Sequence, residues 1–93
     1  MENKNNFNVY IGITGLNESW QSPFSADIIC KKCGGNARIM FVAQENEHRY
    51  PNCFVTNLHE NMKNNKYWPH DAIAVAVYLC EKCFEANAEI NQA

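Results

Sequence analysis

Residues 30–35 read Cys-Lys-Lys-Cys-Gly-Gly, and residues 80–83 read Cys-Glu-Lys-Cys. Two residues between the cysteines let a tight turn aim both sulfurs at one point, and two such pairs supply the four ligands of a tetrahedral zinc ion. Gly34, directly after the second cysteine, lets the backbone adopt a positive φ and turn its amide towards the sulfurs. The sequence predicts one structural Zn²⁺ ion with these ligands: Cys30, Cys33, Cys80 and Cys83.

Strand patterns adjoin both motifs. Ala37 to Gln44 follows the first pair and Ala72 to Leu79 precedes the second, and each carries apolar residues on both faces, which is typical of a central strand. Forty-six residues separate Cys33 from Cys80, against about 15–20 in compact two-pair sites. Residues 45–71 therefore form an insertion. Pairing of the two strands would bring the cysteine pairs together.

A third strand is predicted from Phe7 to Thr14, where apolar and polar residues alternate as in a half-buried edge strand. Residues 1–6 are expected to be a disordered tail. Residues 15–29 read as a loop that Trp20 and Phe24 pack onto the core. The apolar face of the strand is expected to lie against the core and consists of Phe7, Val9, Ile11 and Ile13.

Good helix formers follow Cys83, so we expect a terminal helix of about two turns with Phe84, Ala88 and Ile90 directed inward. A weaker helix pattern runs from Leu58 to Lys66. The expected fold class is α+β in a single domain, residues 1–93. It consists of a small three-stranded, mainly antiparallel sheet with a four-cysteine zinc site at one end and a short C-terminal helix.

This arrangement resembles the zinc-ribbon and treble-clef zinc-binding domains. The resemblance covers both cysteine motifs, the two strands beside them and the helix after Cys83. In a treble clef the second pair lies at the start of such a helix, whereas in a ribbon both pairs lie in knuckles. Phe84 stands where a knuckle would carry glycine, which favours the treble clef. The resemblance implies a fold and a metal, but no role.

Three other interpretations of the cysteines stay open at this point. The same knuckles hold iron in rubredoxin-like sites, and a dithiol between a strand and a helix, as at residues 80–83, is typical of thioredoxin-like redox centres. The four thiols would otherwise be unrelated buried side chains. Cys53 reads as a small buried hydrophobe, with a second metal site as the alternative, in which His59 or His70 would join it. Further aromatic residues in the insertion are loop anchors or a recognition surface: Tyr50, Tyr67 and Trp68.

Composition narrows the function classes. The chain has 93 residues, eight basic and ten acidic, for a formal charge of −2, which argues against non-specific nucleic-acid binding. No apolar run approaches the roughly 18 residues that cross a bilayer, and the N-terminus lacks the apolar core of a signal peptide. We expect a cytoplasmic protein without membrane association. In that reducing compartment, five cysteines favour metal binding over disulfides.

Four cysteine ligands would close the coordination sphere to water, and no catalytic motif accompanies them, so we expect no enzyme activity. The favoured function is a non-catalytic structural-zinc module that binds another protein, either as a monomer or as a homodimer through the strand at residues 7–14. A redox or metal-dependent enzyme is the third class. The second is nucleic-acid binding through basic residues near the motifs, which otherwise offset the charge of the metal centre: Lys31, Lys32, Arg38 and Lys82.

Overall fold

The computed structural model describes residues 6–46, 54–55 and 72–92. These residues form one antiparallel sheet with the strand order β1-β3-β4-β5. A short β2 also pairs with β3, and because β4 runs along one side of β3, β1 and β2 share the other side. The strands are β1 Phe7–Ile11, β2 Asp27–Ile29, β3 Asn36–Glu45, β4 Ile73–Cys80 and β5 Ala86–Gln92, and a 3-10 helix spans Gly12–Gly15.

The two central strands are those that carry apolar residues on both faces. β3 pairs with β4 from Ala37 opposite Cys80 to Gln44 opposite Ala74, with a register shift between Ile39 and Phe41. The predicted antiparallel pairing of these strands is confirmed. It brings the start of β3 and the end of β4, each next to a cysteine pair, to the same end of the sheet.

The loop between β1 and β2 covers one face of the sheet. Gly15 lies directly on that face, since a Cβ at this position would stand 2.6 Å from the Cβ of Tyr10 and 2.8 Å from that of Val42. The hydroxyl of Tyr78 donates a 2.8 Å hydrogen bond to the carbonyl of Ser25. The buried core contains Phe24 of this loop together with Cys30, Ala37, Val42, Ala74, Ala76, Tyr78 and Cys80.

The expectation that the apolar face of β1 lies against the core is wrong. Val9, Ile11 and Ile13 are 57%, 71% and 69% exposed. Alternation correctly groups Val9 and Ile11 on one face, but it does not tell which face the loop will cover. The strand also ends at Ile11, where the 3-10 helix begins.

The predicted C-terminal helix is wrong as well, because residues 86–92 form β5 along the free side of β4. Pairing with β4 outweighs the local helix propensity of this segment. Phe84 and Ile90, which were expected to point inward, are both exposed, as is Ala88. The described residues thus form five strands where the sequence predicts three, and their one helical element is the 3-10 turn, so they are all-β and do not fit the expected α+β class.

A buried carboxylate ties the end of β3 to neighbouring segments. Glu45 is buried, and its two side-chain oxygens accept backbone N–H groups from Val55 at 2.7 Å and from Ile73 at 2.9 Å. Asn6, assigned to the tail by its sequence, is buried and accepts a 2.7 Å bond from the amide of Asn46. The predicted helix at 58–66, most of the insertion and residues 1–5 lie outside the described residues. Within the part of the chain that is described, no helix is long and apolar enough to cross a membrane.

Candidate metal centre

The first cysteine pair lies in a turn, here called knuckle 1 (residues 30–35), that joins β2 to β3. The amide of Cys30 donates to the carbonyl of Gly35 at 2.8 Å, and the amide of Gly34 donates to the carbonyl of Cys30 at 3.0 Å. Gly34 has a φ of 77°, the left-handed conformation that glycine adopts at low cost. The predicted knuckle geometry is present at the first pair.

The second pair lies in an equivalent turn, knuckle 2 (residues 80–85), between β4 and β5. The amide of Cys80 donates to the carbonyl of Glu85 at 3.0 Å, and the amide of Phe84 donates to the carbonyl of Cys80 at 2.9 Å. Phe84 takes a φ of 59°, so it adopts the conformation of Gly34 without being glycine. The sequence favours a treble clef because Phe84 replaces the glycine of a knuckle and a helix is predicted after Cys83. The structure instead forms a knuckle at Phe84 and a strand, β5, in place of the helix.

The two knuckles bring the four sulfurs into one cluster. All four Sγ atoms lie within 4.8 Å of one another, with 3.8 Å between Cys30 and Cys83 and 3.5 Å between Cys33 and Cys80. A tetrahedral zinc ion with Zn–S bonds of about 2.3 Å separates its sulfurs by about 3.8 Å. A disulfide would need about 2.05 Å, and all four cysteines are free thiols. The donor set and its spacing fit one metal ion.

The sulfurs are packed as closely as a metal centre requires. Cys30 and Cys80 are buried, Cys83 is partly buried, and Cys33 is exposed. Gly35 lies close beside two of the sulfurs, because a Cβ there would lie 3.2 Å from the sulfur of Cys33 and 3.3 Å from that of Cys80. With the Cβ of Lys82 also at 3.2 Å, a side chain at this position would require these atoms to shift by a few tenths of an ångström, so the second glycine of the first motif avoids crowding beside the cluster.

Backbone amides point at the sulfurs of the cluster. The amide of Lys32 lies 3.4 Å from the sulfur of Cys30, and the amide of Lys82 lies 3.4 Å from that of Cys80. The amide of Gly35 lies 3.3 Å from the sulfur of Cys33. Such N–H···S contacts stabilise a thiolate over a thiol.

The pKa values of the thiols diverge accordingly. The pKa of Cys30 is lowered to about 6, chiefly by the backbone N–H of Cys33 and next by the side chain of Asn87, against the effect of burial. The pKa of Cys80 is lowered mainly by the backbone N–H of Cys83. The backbone N–H of Glu85 lowers the pKa of Cys83, but burial and the three neighbouring cysteines together outweigh it and raise this pKa to about 12. Four thiolates at this distance need a cation to ionise together.

Asn87, on β5, contacts the cysteine cluster, which the sequence did not reveal. Its side chain is buried, with Oδ1 accepting a 2.9 Å bond from the amide of Lys31. Its Nδ2 lies 3.5 Å from the sulfur of Cys30 and 3.2 Å from the carbonyl of Glu85. The sequence placed this asparagine in a helix, and only the pairing of β5 with β4 brings it to the cluster.

The basic residues near the motifs are partly offset by acidic ones. The ammonium group of Lys32 lies 3.5 Å from the carboxylate of Glu85, and the guanidinium of Arg38 lies 4.0 Å from that of Glu81, all on exposed side chains. Lys31 and Lys82 are exposed next to the cysteines. Exposed glutamates thus partly offset the charge of two of the four basic residues.

Within the described ranges, the four cysteines are the one group of three or more Cys, His, Asp or Glu side chains placed to share an ion. The second site considered at Cys53, His59 and His70 lies outside the described residues, as do Tyr50 and the aromatic pair at 67–68. Neither protein-family models nor curated proteins nor solved structures match this chain. The assignment of the site therefore rests on the geometry of its two knuckles.

Proposed function

We propose that the cysteine cluster binds one structural Zn²⁺ ion in a zinc-ribbon-like arrangement and that the protein is a non-catalytic binding module for another protein. The two equivalent knuckles support the ribbon-like assignment. Four protein thiolates complete a tetrahedron, so the ion would hold the fold together and would offer no position to a substrate. Free thiols are stable in a reducing compartment, which supports a cytoplasmic location.

The observation that carries the binding function is an apolar sheet face opposite the covered one. Paired residues of an antiparallel sheet point to the same side, so two neighbouring rows of side chains cross all four long strands. Both rows are entirely apolar, and their outermost members are exposed, with Ile11 at 71% and Ile90 at 54%. The rows are Val9–Ala43–Val75–Ile90 and Ile11–Phe41–Val77–Ala88.

The size of this apolar face indicates what it binds. Strands about 4.8 Å apart and rows about 7 Å apart give a patch on the order of 300 Å², the scale of functional patches on monomers. A stable dimer buries about 800 Å² on each side. The patch is too small for that, but it matches one face of an amphipathic helix of about three turns. An apolar helical segment of another protein is therefore the proposed occupant.

Variants with a charge on this face test the function. Ile11→Asp and Ile90→Asp place a carboxylate in the rows at exposed positions, and Ile13→Asp, equally exposed but outside the rows, is the matched control. We expect the native protein and I13D to capture the same specific partner. When binding is measured with purified components, the affinity of this partner for I11D and I90D should be at least tenfold lower.

Other outcomes of this experiment contradict the proposal. Undiminished binding by I11D and I90D would exclude the face as the docking surface. A dimer in light scattering that the two variants dissociate would make a second copy the occupant. Melting temperatures that fall in both variants, with no change in capture, would indicate that the face is covered from within the chain.

Nucleic-acid binding through Lys31, Lys32, Arg38 and Lys82 is less well supported, because two of these residues lie close to glutamates. A gel shift that weakens with salt and disappears on changing Lys31 and Lys32 to glutamate would favour it over the protein-binding function.

A further inference from the structure

We propose that Asn87 is a positioning residue for the metal centre, one that fixes Cys30 and joins the two knuckles through a single side chain. The inference rests on the proposed metal site and adds to it a ligand-orienting group outside both cysteine motifs. Asn87 follows knuckle 2 in the sequence, but its contacts reach knuckle 1.

The side chain satisfies three groups at once. Its oxygen accepts the amide of Lys31, and its nitrogen faces the sulfur of Cys30 and the carbonyl of Glu85. Reversing the amide would set its NH₂ against the N–H of Lys31 and its oxygen against a carbonyl, so the hydrogen-bond network itself fixes the orientation. Only a group with one acceptor and two donors fits, and among side chains of this size that group is asparagine.

The two knuckles reveal why a side chain is needed here. In knuckle 2, the amide of Glu81 donates at 3.0 Å to the backbone carbonyl of Asn36, directly after knuckle 1. The equivalent amide in knuckle 1 is that of Lys31, and it is accepted by a side chain, that of Asn87. The bond from Glu81 holds knuckle 2 against the hairpin of β2 and β3, and the bond from Lys31 holds knuckle 1 against the hairpin of β4 and β5. Asn87 supplies the acceptor of the second bond.

The donor function of Asn87 distinguishes Cys30 from the other ligands. Among the described residues, Asn87 carries the one side-chain amide that lies within hydrogen-bonding distance of a cluster sulfur. An N–H···S contact withdraws electron density from a bound thiolate and holds its lone pairs in one orientation. Removal of groups that orient ligands in this way reduces metal affinity by about 10–100-fold.

Replacing Asn87 with alanine or with aspartate separates a positioning role from simple packing. Asn87→Ala removes the contacts and the volume, whereas Asn87→Asp keeps the shape and the acceptor for Lys31 but turns a carboxylate oxygen towards the sulfur of Cys30. A positioning role predicts that N87D binds metal more weakly than N87A, and that both bind at least tenfold more weakly than the native protein. A packing role predicts the opposite order, with N87D close to native.

The experiment is a Co²⁺ titration of the full chain, with absorption spectra and Zn²⁺ competition to give affinities. Asn91→Ala and Asn91→Asp are the controls, since Asn91 lies on the same strand and face but bonds to the carbonyl of Ser22 away from the cluster. At saturating cobalt we expect the sulfur-to-metal charge-transfer band to move to lower energy in N87A and to stay in place in both Asn91 variants.

The outcomes keep the two proposals apart. A native protein without the intense bands of tetrahedral thiolate-bound cobalt would contradict the metal site itself. Native bands together with a near-native N87D affinity, or an unmoved charge-transfer band in N87A, would contradict the role of Asn87 and leave the site intact.

Discussion

At the scale of single residues, position 84 shows what sequence motifs conceal. The absence of glycine after Cys83 argues against a second knuckle, yet Phe84 adopts a φ of 59° and forms one. A left-handed conformation costs a non-glycine residue roughly 1–2 kcal/mol. In this conformation the amide of Phe84 closes the turn onto the carbonyl of Cys80, and no local sequence pattern reports such a constraint.

Substitutions at the equivalent positions of the two knuckles, Phe84 and Gly34, test this strain. Phe84→Gly should raise the free energy of unfolding of the metal-bound protein by about 1 kcal/mol, because the strain disappears and the side chain is already exposed. Gly34→Ala should lower it by about 1 kcal/mol, since its Cβ would meet nothing within 4 Å and only the backbone would resist. Urea denaturation with metal present measures both. Loss of stability in F84G would contradict the left-handed conformation.

Glu45 provides a second prediction at this scale. Glu45→Gln replaces one of two accepting oxygens with an NH₂ group, so one of the amides of Val55 and Ile73 loses its acceptor. An unsatisfied buried donor costs about 1–3 kcal/mol. Glu89→Gln, at an exposed position, is the control and should change stability by less than about 0.5 kcal/mol. Equal stability of E45Q and E89Q in urea denaturation would show that the Glu45 carboxylate does not stabilise the fold through these two hydrogen bonds.

At the scale of elements, the sequence predicts the centre of the sheet and fails at its edges. β3 and β4 were recognisable because both of their faces are apolar. β5 was not, since Ala, Asn and Glu suit a helix as well as an edge strand and the pairing with β4 decides between them. For β1 the alternation was correctly recognised, but the covered side of the sheet depends on the path of a loop that periodicity does not encode.

An exposed alanine on β5 tests the strand assignment. Ala88→Val introduces a β-branched residue opposite Val77, which should stabilise a strand by up to about 1 kcal/mol. In a helix the same change would destabilise by roughly 0.5 kcal/mol. The sign of the change in a urea denaturation curve therefore distinguishes the two, and a destabilised variant would count against β5.

The packing of the loop over the sheet gives a pH prediction. Burial, and next the negative charges of Glu89 and Asp27, raise the pKa of Tyr78. The folded state then holds this proton more tightly than the unfolded state, so the stabilisation is complete below about pH 10 and is lost as the pH rises above it. Tyr78→Phe should be less stable by about 1 kcal/mol at pH 8 and should lose less of its stability between pH 8 and pH 10.5. Thermal melts in which the native protein and Y78F lose stability equally as the pH rises would contradict this prediction.

At the scale of the whole molecule, the cysteine cluster joins two hairpins that are distant in sequence. One hairpin contains β2 and β3 with knuckle 1, and the other contains β4 and β5 with knuckle 2. A cross-link that closes a loop of about 50 residues stabilises a chain by about 4 kcal/mol. The clustering of the four cysteines was predictable because their spacing follows from coordination chemistry, whereas the position of Asn87 depends on the complete sheet.

Metal removal should therefore unfold the protein cooperatively. We expect a strong chelator, or the substitution Cys80→Ser, to abolish the folded circular-dichroism signal, and added Zn²⁺ to restore it only in the chelator-treated native chain. Cys33→Ser should behave like C80S although Cys33 is exposed. A melting temperature that survives chelation would mean that the sheet is stable without the ion.

The central claim is that four sulfurs of one chain surround one zinc ion. X-ray absorption spectroscopy of the purified protein at the zinc edge, combined with elemental analysis, measures this directly. We predict one zinc per chain with four sulfur neighbours at about 2.3 Å. Iron in place of zinc, a nitrogen or oxygen ligand in the first coordination sphere, or a protein without stoichiometric metal would contradict the account.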